Sequence, residues 1–214
     1  MRASGMTQDI DTPVYFCTKF GIGRFSERLK RSFDVVCSAL ALFVLAPLFA
    51  VVAYLIKKED GGPVIYKQIR CTKDLKEFEI YKFRSMISDS EKNGAQLAIA
   101  DDDRLTKIGR FIRETKIDEL PQLVNILKGD MSIVGPRPER PELIRETIEQ
   151  VPEFELRTKV KAGLTGYAQV RGYYNTDFLD KLKWDLIYIE NYSFLLDIKI
   201  IIMTVSAIVS KNIK

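Results

Sequence analysis

The sequence contains no histidine, and this absence excludes several kinds of chemistry at once. Imidazole acid–base catalysis, Ser-His triads and histidine-ligated metal sites all require that side chain. Cysteine is also scarce: Cys17, Cys37 and Cys71 are far apart and odd in number, so they provide neither a disulfide framework nor metal-ligand spacing. Catalysis must therefore depend on carboxylates, lysine, arginine, tyrosine, hydroxyls or thiols, and the scarcity of cysteine favours a reducing compartment.

A large excess of either charge is absent too. The 214 residues include 33 Lys and Arg against 29 Asp and Glu, which gives a formal net charge of +4. This balance suits an anionic membrane surface or a phosphate ligand, and it is too weak to indicate nucleic acid. With 46% hydrophobic and 29% charged residues, most of the chain is expected to fold as a globular body.

One long apolar run is present, and it has no charged residue from Val35 to Ile56. As a straight helix it would be about 33 Å long, sufficient to span the hydrocarbon core of a membrane. Basic residues flank both ends, however, and the positive-inside rule places such ends in the cytoplasm. Pro47 removes a backbone hydrogen bond and bends the helix, so each arm would reach only about halfway. A re-entrant helix satisfies both observations, while a kinked single span and a buried helix of a soluble domain stay open.

The remaining chain predicts several helices and a small amount of β-structure. The segment Ser26–Asp34 mixes apolar and basic residues, which is typical of a helix that meets lipid headgroups. Strands of a hairpin are predicted over Val64–Arg70 and Phe78–Ser85, a helix or loop over Ser88–Gln96, helices over Leu120–Leu127, Pro141–Gln150, Asp177–Glu190 and Ile198–Val209, and a turn with a short strand over Gly163–Gly172. The last helix is too short to span a membrane and fits a core helix and an interfacial helix equally well.

Adjacent acids, Asp118 and Glu119, stand beside a predicted helix start. A purely structural interpretation is a capping box, with Thr115 as the N-cap and Asp118 three residues later. The functional interpretation uses the same physics, because a helix N-terminus lowers the pKa of a carboxylate and can hold a phosphate. An ionised Asp118 could then attack phosphorus if a cation offsets the repulsion between the two anions.

Basic residues from separate segments could supply such cations. Lys82 and Arg84 alternate with aromatic residues on a predicted strand, YKFRSM, and Arg113 precedes the acidic pair. In GPRP, Arg137 is fixed between two prolines, and a rigidly presented guanidinium suits bidentate phosphate binding. The structural alternatives are ordinary exposed charges on a strand and a proline-rich loop with a solvated arginine.

Two other functions are compatible with the residues. In IADDDR, Asp101 and Asp103 could form the acid-x-acid metal site of a nucleotide-sugar glycosyltransferase, although acidic triplets are common in loops. In a non-catalytic membrane adaptor, the basic residues would only recruit anionic lipids or partners.

Four strings, in this order, resemble the bacterial sugar transferases: KRSFD, YKFRSM, RETKIDELPQLVNILKGDMSIVGPRP and GLTGYAQVRG. These are the monotopic phosphoglycosyl transferases, which act on polyprenol phosphate. The C-terminal string YIENYSFLLDIKIIIMTV resembles the same family, so the resemblance covers about Arg28 to Val205. It implies transfer of a sugar 1-phosphate from a UDP-sugar to undecaprenyl phosphate, with release of UMP and a requirement for Mg²⁺.

The resemblance also assigns roles to residues of this chain. Asp118 would attack the sugar-bearing phosphate, Glu119 would support the site, and the pair would hold the metal. The family breaks its membrane helix at a Ser-Pro pair, which here is Ala46 and Pro47. The substrate phosphates would meet Lys82, Arg84, Arg113, Arg137, the neighbouring Gly135, Pro136 and Pro138, and Gln169 of the GLTGYAQVRG string.

We therefore predict an α+β fold, mostly helical with a small β-hairpin or sheet, in a monotopic membrane protein. Residues 1–27 would be a lead-in, residues 28–60 an interfacial and re-entrant membrane helix, and residues 61–214 a cytoplasmic catalytic domain with C-terminal interfacial helices. The location would be the cytoplasmic face of a bacterial inner membrane, with a UDP-sugar, undecaprenyl phosphate and membrane lipids as partners. A homo-oligomer is compatible with the sequence, and no residue specifies the sugar.

Overall fold

The computed structural model describes residues 24–87, 102–172 and 178–210. The helices are α1 (Arg24–Asp60), α2 (Lys107–Glu114), α3 (Gln122–Lys128), α4 (Pro141–Gln150), α5 (Tyr167–Arg171), α6 (Phe178–Glu190) and α7 (Phe194–Val209). The strands are β1 (Ile65–Cys71), β2 (Glu77–Phe83), β3 (Ser132–Val134) and β4 (Gly163–Thr165). This part of the chain is mostly helical with two small sheets, which confirms the predicted secondary-structure class.

The two sheets differ in how readily the sequence predicts them. Strands β1 and β2 pair antiparallel, with Ile65 opposite Phe83, and confirm the predicted hairpin. Alternating β2 residues enter the core at Phe78 and Ile80. Strands β3 and β4 pair in parallel, and β3 was not predicted, because three residues are too few to display an alternating pattern.

Most predicted helices are present with small changes at their ends. Helix α3 ends at Gly129, whose φ of 92° terminates it as the glycine predicted, and α4 begins at Pro141. Helix α7 begins at Phe194 because the Ser193 hydroxyl accepts a hydrogen bond from the Leu196 amide. The GLTGYAQVRG string contains helix α5 as well as strand β4, and the prediction for Ser88–Gln96 lies outside the described residues.

Helix α1 is continuous through Pro47, where the sequence predicted two separate arms. It begins at Arg24, within the predicted lead-in, and is long and apolar enough to cross a membrane. One face of it is exposed along the whole apolar run, at Val36, Leu40, Phe43, Val44, Val51, Tyr54 and Leu55. The opposite face is partly buried against the rest of the protein, and re-entry into a membrane stays a prediction.

The N-terminal part of α1 is anchored by a buried polar cluster, here called the helix junction. The Lys30 ammonium donates to the carboxylate of Asp197 (2.5 Å) and to the Val134 carbonyl (3.1 Å). The Tyr188 hydroxyl, with its single hydrogen, lies within hydrogen-bond distance of the same carboxylate (2.8 Å) and the same carbonyl (3.1 Å). Since Lys30 is only 5% exposed, the prediction that this basic segment meets headgroups is wrong for Lys30.

The C-terminal end of α1 binds the same domain at another place. The Glu59 carboxylate accepts hydrogen bonds from the Lys107 and Ile108 amides at the start of α2 (2.7 and 3.2 Å). Its neighbour Asp60 forms an ion pair with Arg84, which follows strand β2. Between the two ends, apolar residues of α1 pack on β2 and α3, so the helix is attached to the domain along its length.

Candidate active site

The acidic pair lies on a 3-10 turn, Ile117–Glu119, between α2 and α3. Lys116 leads into this turn in the left-handed backbone region, with a φ of 58°. The Thr115 hydroxyl donates to the Phe111 carbonyl (2.8 Å) at the C-terminal end of α2. Because Thr115 ends a helix instead of starting one, the predicted capping box is wrong, and helix capping does not explain the acidic pair.

Glu119 is held between two cations. Its carboxylate accepts hydrogen bonds from the Lys82 ammonium (2.9 Å) and from the Arg137 guanidinium (2.6 and 3.4 Å). Burial by itself would raise the pKa of Glu119, but the charges of Arg137 and Lys82 outweigh it and hold the pKa well below its usual range. Glu119 is therefore an ionised group that is bonded to both Lys82 and Arg137.

Asp118 has the opposite environment. Its side chain is buried, with 7% of the residue exposed, and it has no hydrogen bond or ion pair to any residue that the structure describes. Burial, and next the negative charge of Glu119, raise the pKa of Asp118 to about 6. The nearby cations Lys82, Arg113 and Lys116 oppose this rise without pairing directly. Asp118 is thus a carboxylate without a partner among the described residues, next to positive charge.

A buried amide positions the pair relative to strand β2. Asn125 on α3 is fully buried, and its side-chain oxygen accepts from the Tyr81 amide (3.0 Å). Its side-chain NH₂ donates to the Glu79 carbonyl (2.6 Å). These bonds fix α3 on β2 beside Lys82. Sequence reasoning missed Asn125, although a polar residue beside Leu123 and Ile126 on the buried face of a helix was an available signal.

The GPRP loop presents Arg137 toward Glu119. Pro136 and Pro138 are buried, while the Arg137 side chain between them is 45% exposed. The pKa of Arg137 is raised, chiefly by the charge of Glu119, so the guanidinium stays cationic. The two buried prolines flank this arginine, and its rigid presentation stays a prediction.

Glycines bring the GPRP loop against the GLTGYAQVRG string. A Cβ at Gly135 would lie 2.2 Å from the Lys161 carbonyl oxygen, and one at Gly163 would lie 2.1 Å from the Gly135 nitrogen. The Gly163 amide donates to the Pro136 carbonyl (2.9 Å). Only glycine permits so close an approach of the two backbones, so the two strings form one unit in the fold.

The other predicted binding residues do not all converge on the acidic pair. Arg113 is close enough to lower the pKa of Asp118. Arg84 is 7% exposed and pairs with Asp60 at the end of α1, whereas Lys82 pairs with Glu119. Their assignment as phosphate-binding residues stays a prediction.

Gln169 on α5 lies near the GPRP loop and not on the acidic pair. Its side-chain NH₂ donates to the Leu164 carbonyl (3.4 Å), and its buried side-chain oxygen has no hydrogen-bond partner in the described part of the chain. That oxygen lies 3.2 Å from where a Cβ of Gly166 would be, and Gly166 in turn contacts Gly135. An acceptor of this kind is suited to a ligand donor, which keeps Gln169 as a predicted binding residue.

The carboxylates fit a metal that is shared with a substrate. Within the residues described, no group of three or more His, Cys, Asp and Glu side chains could hold a metal, and Asp103 is exposed while Asp101 lies outside the description. Mg²⁺ is commonly bound through one or two carboxylates, with water and substrate phosphates as its other ligands. Asp118 offers a carboxylate of this kind, whereas both oxygens of Glu119 already accept hydrogen bonds from Lys82 and Arg137, so Glu119 as a metal ligand stays a prediction.

The acidic pair, the GPRP loop and the glycine-bracketed string all lie within one range of residues that a family model matches. The model of the family described as bacterial sugar transferase matches residues 25–211, which is most of the chain. The chain belongs to the bacterial sugar transferase family. The matched residues include nearly all of α1, the helix junction and the acidic pair, so a single family model spans these parts.

Curated relatives resemble this transferase over much of its length. It is 42% identical over 185 residues to the UDP-N-acetylgalactosamine-undecaprenyl-phosphate N-acetylgalactosaminephosphotransferase of Aeromonas hydrophila, covering 85% of this chain and 44% of the relative. It is 40% identical to the UDP-glucose:undecaprenyl-phosphate glucose-1-phosphate transferase of Escherichia coli, covering 90% of this chain and 42% of the relative. The chain thus spans less than half the length of these two relatives.

A shorter relative matches almost end to end. The exopolysaccharide production protein PSS of Rhizobium leguminosarum is 43% identical over 186 residues, covering 83% of this chain and 93% of the relative. The described fold therefore corresponds to nearly the whole of one family member and to one part of the longer ones.

Proposed function

We propose that this transferase moves a sugar 1-phosphate from a UDP-sugar to undecaprenyl phosphate and releases UMP, as a first membrane step of bacterial glycan assembly. The observation that carries the proposal is the contrast within the acidic pair: Glu119 is held by two cations, while Asp118 has no partner among the described residues. The names of the relatives from Aeromonas hydrophila and Escherichia coli support this donor and acceptor. Those names differ in the sugar, so the sugar is left open.

In the first step, a carboxylate oxygen of Asp118 attacks the sugar-bearing phosphorus of the donor. A bond forms between that oxygen and phosphorus, the bond from phosphorus to the bridging oxygen breaks, and UMP leaves with the electron pair. A pKa of about 6 leaves Asp118 ionised at neutral pH yet poorly solvated, which suits a nucleophile. Lys82 and Arg137, fixed by Glu119, offset the charge of the donor phosphates.

In the second step, a phosphate oxygen of undecaprenyl phosphate attacks the same phosphorus, and the Asp118 carboxylate leaves. The product is a lipid diphosphosugar, and the enzyme returns to its starting state. Transfer through one aspartate lets a soluble donor and a membrane-bound acceptor occupy the site in turn. Asp118 and Glu119 would hold Mg²⁺, which supplies further neutralisation of phosphate charge when bound.

The way in which α1 is attached to the domain supports a monotopic arrangement. Asp34 near one end accepts a hydrogen bond from the Ile133 amide (3.1 Å), and Asp60 at the other end pairs with Arg84. A helix that crossed the membrane once would put these two ends on opposite faces, although both bind one domain. We therefore favour a monotopic helix that bends at Ala46 and Pro47 and re-enters the cytoplasmic face of the inner membrane. Its exposed apolar face, including Phe43, would contact lipid.

The reaction is tested by identifying the nucleotide product from a panel of UDP-sugars with undecaprenyl phosphate and Mg²⁺. The proposal predicts UMP from the wild-type chain, and neither turnover nor a sugar-phosphate adduct on Asp118→Asn when intact protein is weighed by mass spectrometry. Asp180→Asn, a change of an exposed aspartate on α6, is the matched control and should behave as wild type. Release of UDP would favour a glycosyltransferase that uses Asp101 and Asp103, and no nucleotide product would favour a membrane adaptor.

The topology is tested separately in intact cells. Single cysteines placed within residues 1–27 and near the C-terminus should both resist a membrane-impermeant thiol reagent until the inner membrane is opened. Labelling of one end only would contradict a re-entrant helix.

A further inference from the structure

The backbone of the GPRP loop is bonded at almost every carbonyl. The Pro136 carbonyl accepts from the Gly163 amide (2.9 Å), and the Glu139 carbonyl accepts from the Cys71 amide (2.9 Å). The two carbonyls that lie between these residues accept from side chains. The Arg70 guanidinium donates to the Pro138 carbonyl (3.3 Å), and the Arg157 guanidinium donates to the Arg137 carbonyl (3.0 Å). The bond to Arg137 stands out, because it attaches a second arginine to the residue that holds Glu119.

Arg157 is a buried cation whose hydrogen-bonded carboxylate partner, Asp185, is buried as well. It is 6% exposed, and its guanidinium donates to one carboxylate oxygen of Asp185 through two nitrogens (3.1 and 2.8 Å). Asp185 on α6 is 1% exposed, and the Arg157 guanidinium lies over the Phe154 ring at 4.7 Å. The nitrogen that binds Arg137 is therefore fixed by an ion pair and by an aromatic face.

We propose that Arg157, held by Asp185, is a positioning residue that sets the main chain of Arg137 and so aims its guanidinium at Glu119 and the donor phosphates. The inference rests on the proposed function for the role of Arg137 in turnover. Arg157 itself does not contact Glu119. It binds the Arg137 carbonyl and also pairs with the carboxylate of Glu139, the residue after the loop (3.7 Å). A displacement of about 1 Å of a group that positions substrate costs about 100-fold in rate.

A structural role and a positioning role can be separated by repairing the buried charge. Arg157→Met alone leaves the Asp185 carboxylate buried without its cation, and it should lower both the melting temperature and the rate. In Arg157→Met/Asp185→Leu, two apolar residues replace the buried ion pair, an exchange that is often neutral for stability. We expect this double variant to melt near the wild-type temperature but to release UMP about 10- to 100-fold more slowly.

The matched control is Arg145→Met. Arg145 is an exposed arginine on α4 that pairs with Glu77 (3.0 Å) and does not touch the GPRP loop in the described residues. It should keep the wild-type rate and melting temperature. A double variant that regained both wild-type stability and wild-type rate would overturn the positioning role.

A second measurement does not depend on turnover. An arginine-selective dicarbonyl reagent, followed by mass spectrometry of the peptides, reports how fast the Arg137 guanidinium reacts. In Arg157→Met/Asp185→Leu the Arg137 carbonyl loses its bond to Arg157. Arg137 should therefore react several-fold faster in this double variant than in the wild-type chain or in Arg145→Met. Equal reactivity in all three would overturn the inference, whereas absence of UMP from the wild-type chain would contradict only the proposed function.

Discussion

Two buried carboxylates, Asp197 in the helix junction and Asp118 in the acidic pair, differ in what surrounds them. Both are almost fully buried, and burial raises the pKa of each. Asp197 accepts hydrogen bonds from Lys30 and Tyr188, whereas Asp118 accepts none from the residues described. Similar burial thus accompanies two different surroundings: the Asp197 carboxylate is bonded to side chains from two helices, and the Asp118 carboxylate has no such bond among the described residues, which fits its proposed role as a nucleophile.

The helix junction and the acidic pair are connected through one short segment. Lys30 and Tyr188 bind the Val134 carbonyl, and the GPRP loop that carries Arg137 begins at the next residue. The junction thus joins α1 and α7 to the start of the loop. Further along the loop, the Arg137 guanidinium donates a hydrogen bond to Glu119. We assign stability to Asp197 and reactivity to Asp118. Substitutions at the two residues should therefore change the free energy of unfolding in opposite directions.

The largest effect is expected in the helix junction. Asp197→Ala leaves the Lys30 ammonium buried without its counter-ion, and breaking such a pair costs about 3–5 kcal/mol of unfolding free energy. Chemical or thermal unfolding in detergent measures the loss. The double change Lys30→Met/Asp197→Leu removes both charges and should regain most of it. A wild-type melting temperature for Asp197→Ala would show that the junction does not hold α1 to the domain.

At the acidic pair the expected change in the free energy of unfolding has the opposite sign: Asp118→Asn should stabilise the fold. The pKa of Asp118 is about 6 in the folded protein and near 4 when unfolded, so folding favours the protonated form. That contribution is present at pH below 4 and is lost as pH rises through 6. Removing the charge should therefore add roughly 3 kcal/mol at pH 7.5 and about half of that at pH 5. Unfolding of Asp118→Asn and Asp180→Asn at both pH values checks this, and an equal gain at both would contradict it.

The same raised pKa should appear in the rate. In the proposed mechanism only the ionised form of Asp118 attacks phosphorus, so kcat/KM should fall on the acid side with a midpoint near pH 6, about two pH units above that of an ordinary aspartate. Rates of UMP release between pH 4.5 and 8 measure the midpoint. A midpoint near pH 4 would mean that the free enzyme solvates Asp118 far better than its burial indicates.

A smaller effect is expected from Glu119→Gln. The negative charge of Glu119 raises the pKa of Asp118, so its removal should move the acid midpoint of kcat/KM downward by less than about one pH unit. The rate itself should fall about 10-fold, because Lys82 and Arg137 lose the carboxylate that orients them. Glu146→Gln on α4 is an exposed control. An upward shift of the midpoint would contradict the assigned charges.

Local sequence signals predicted the elements whose pattern is long enough to be recognised. The hairpin, α4 and the end of α3 at Gly129 were all predicted from alternation, a leading proline and a terminal glycine. The prediction for Thr115 was wrong because the same residue type can cap a helix start or back-bond at a helix end. Arg157 and Asp185 had no local signal at all, since their pairing depends on elements 28 residues apart.

By itself, the sequence determined the chemical limits of this protein: no imidazole, one long apolar run with basic flanks, an acidic pair and an arginine between prolines. Only the tertiary structure decided which acid is paired and which is not. Asp118 and Glu119 are neighbours with the same local sequence, and what separates them is the arrival of Lys82 and Arg137 from 37 and 18 residues away. Local patterns cannot contain such long-range charge pairing, because it exists only after the strands and loops have packed.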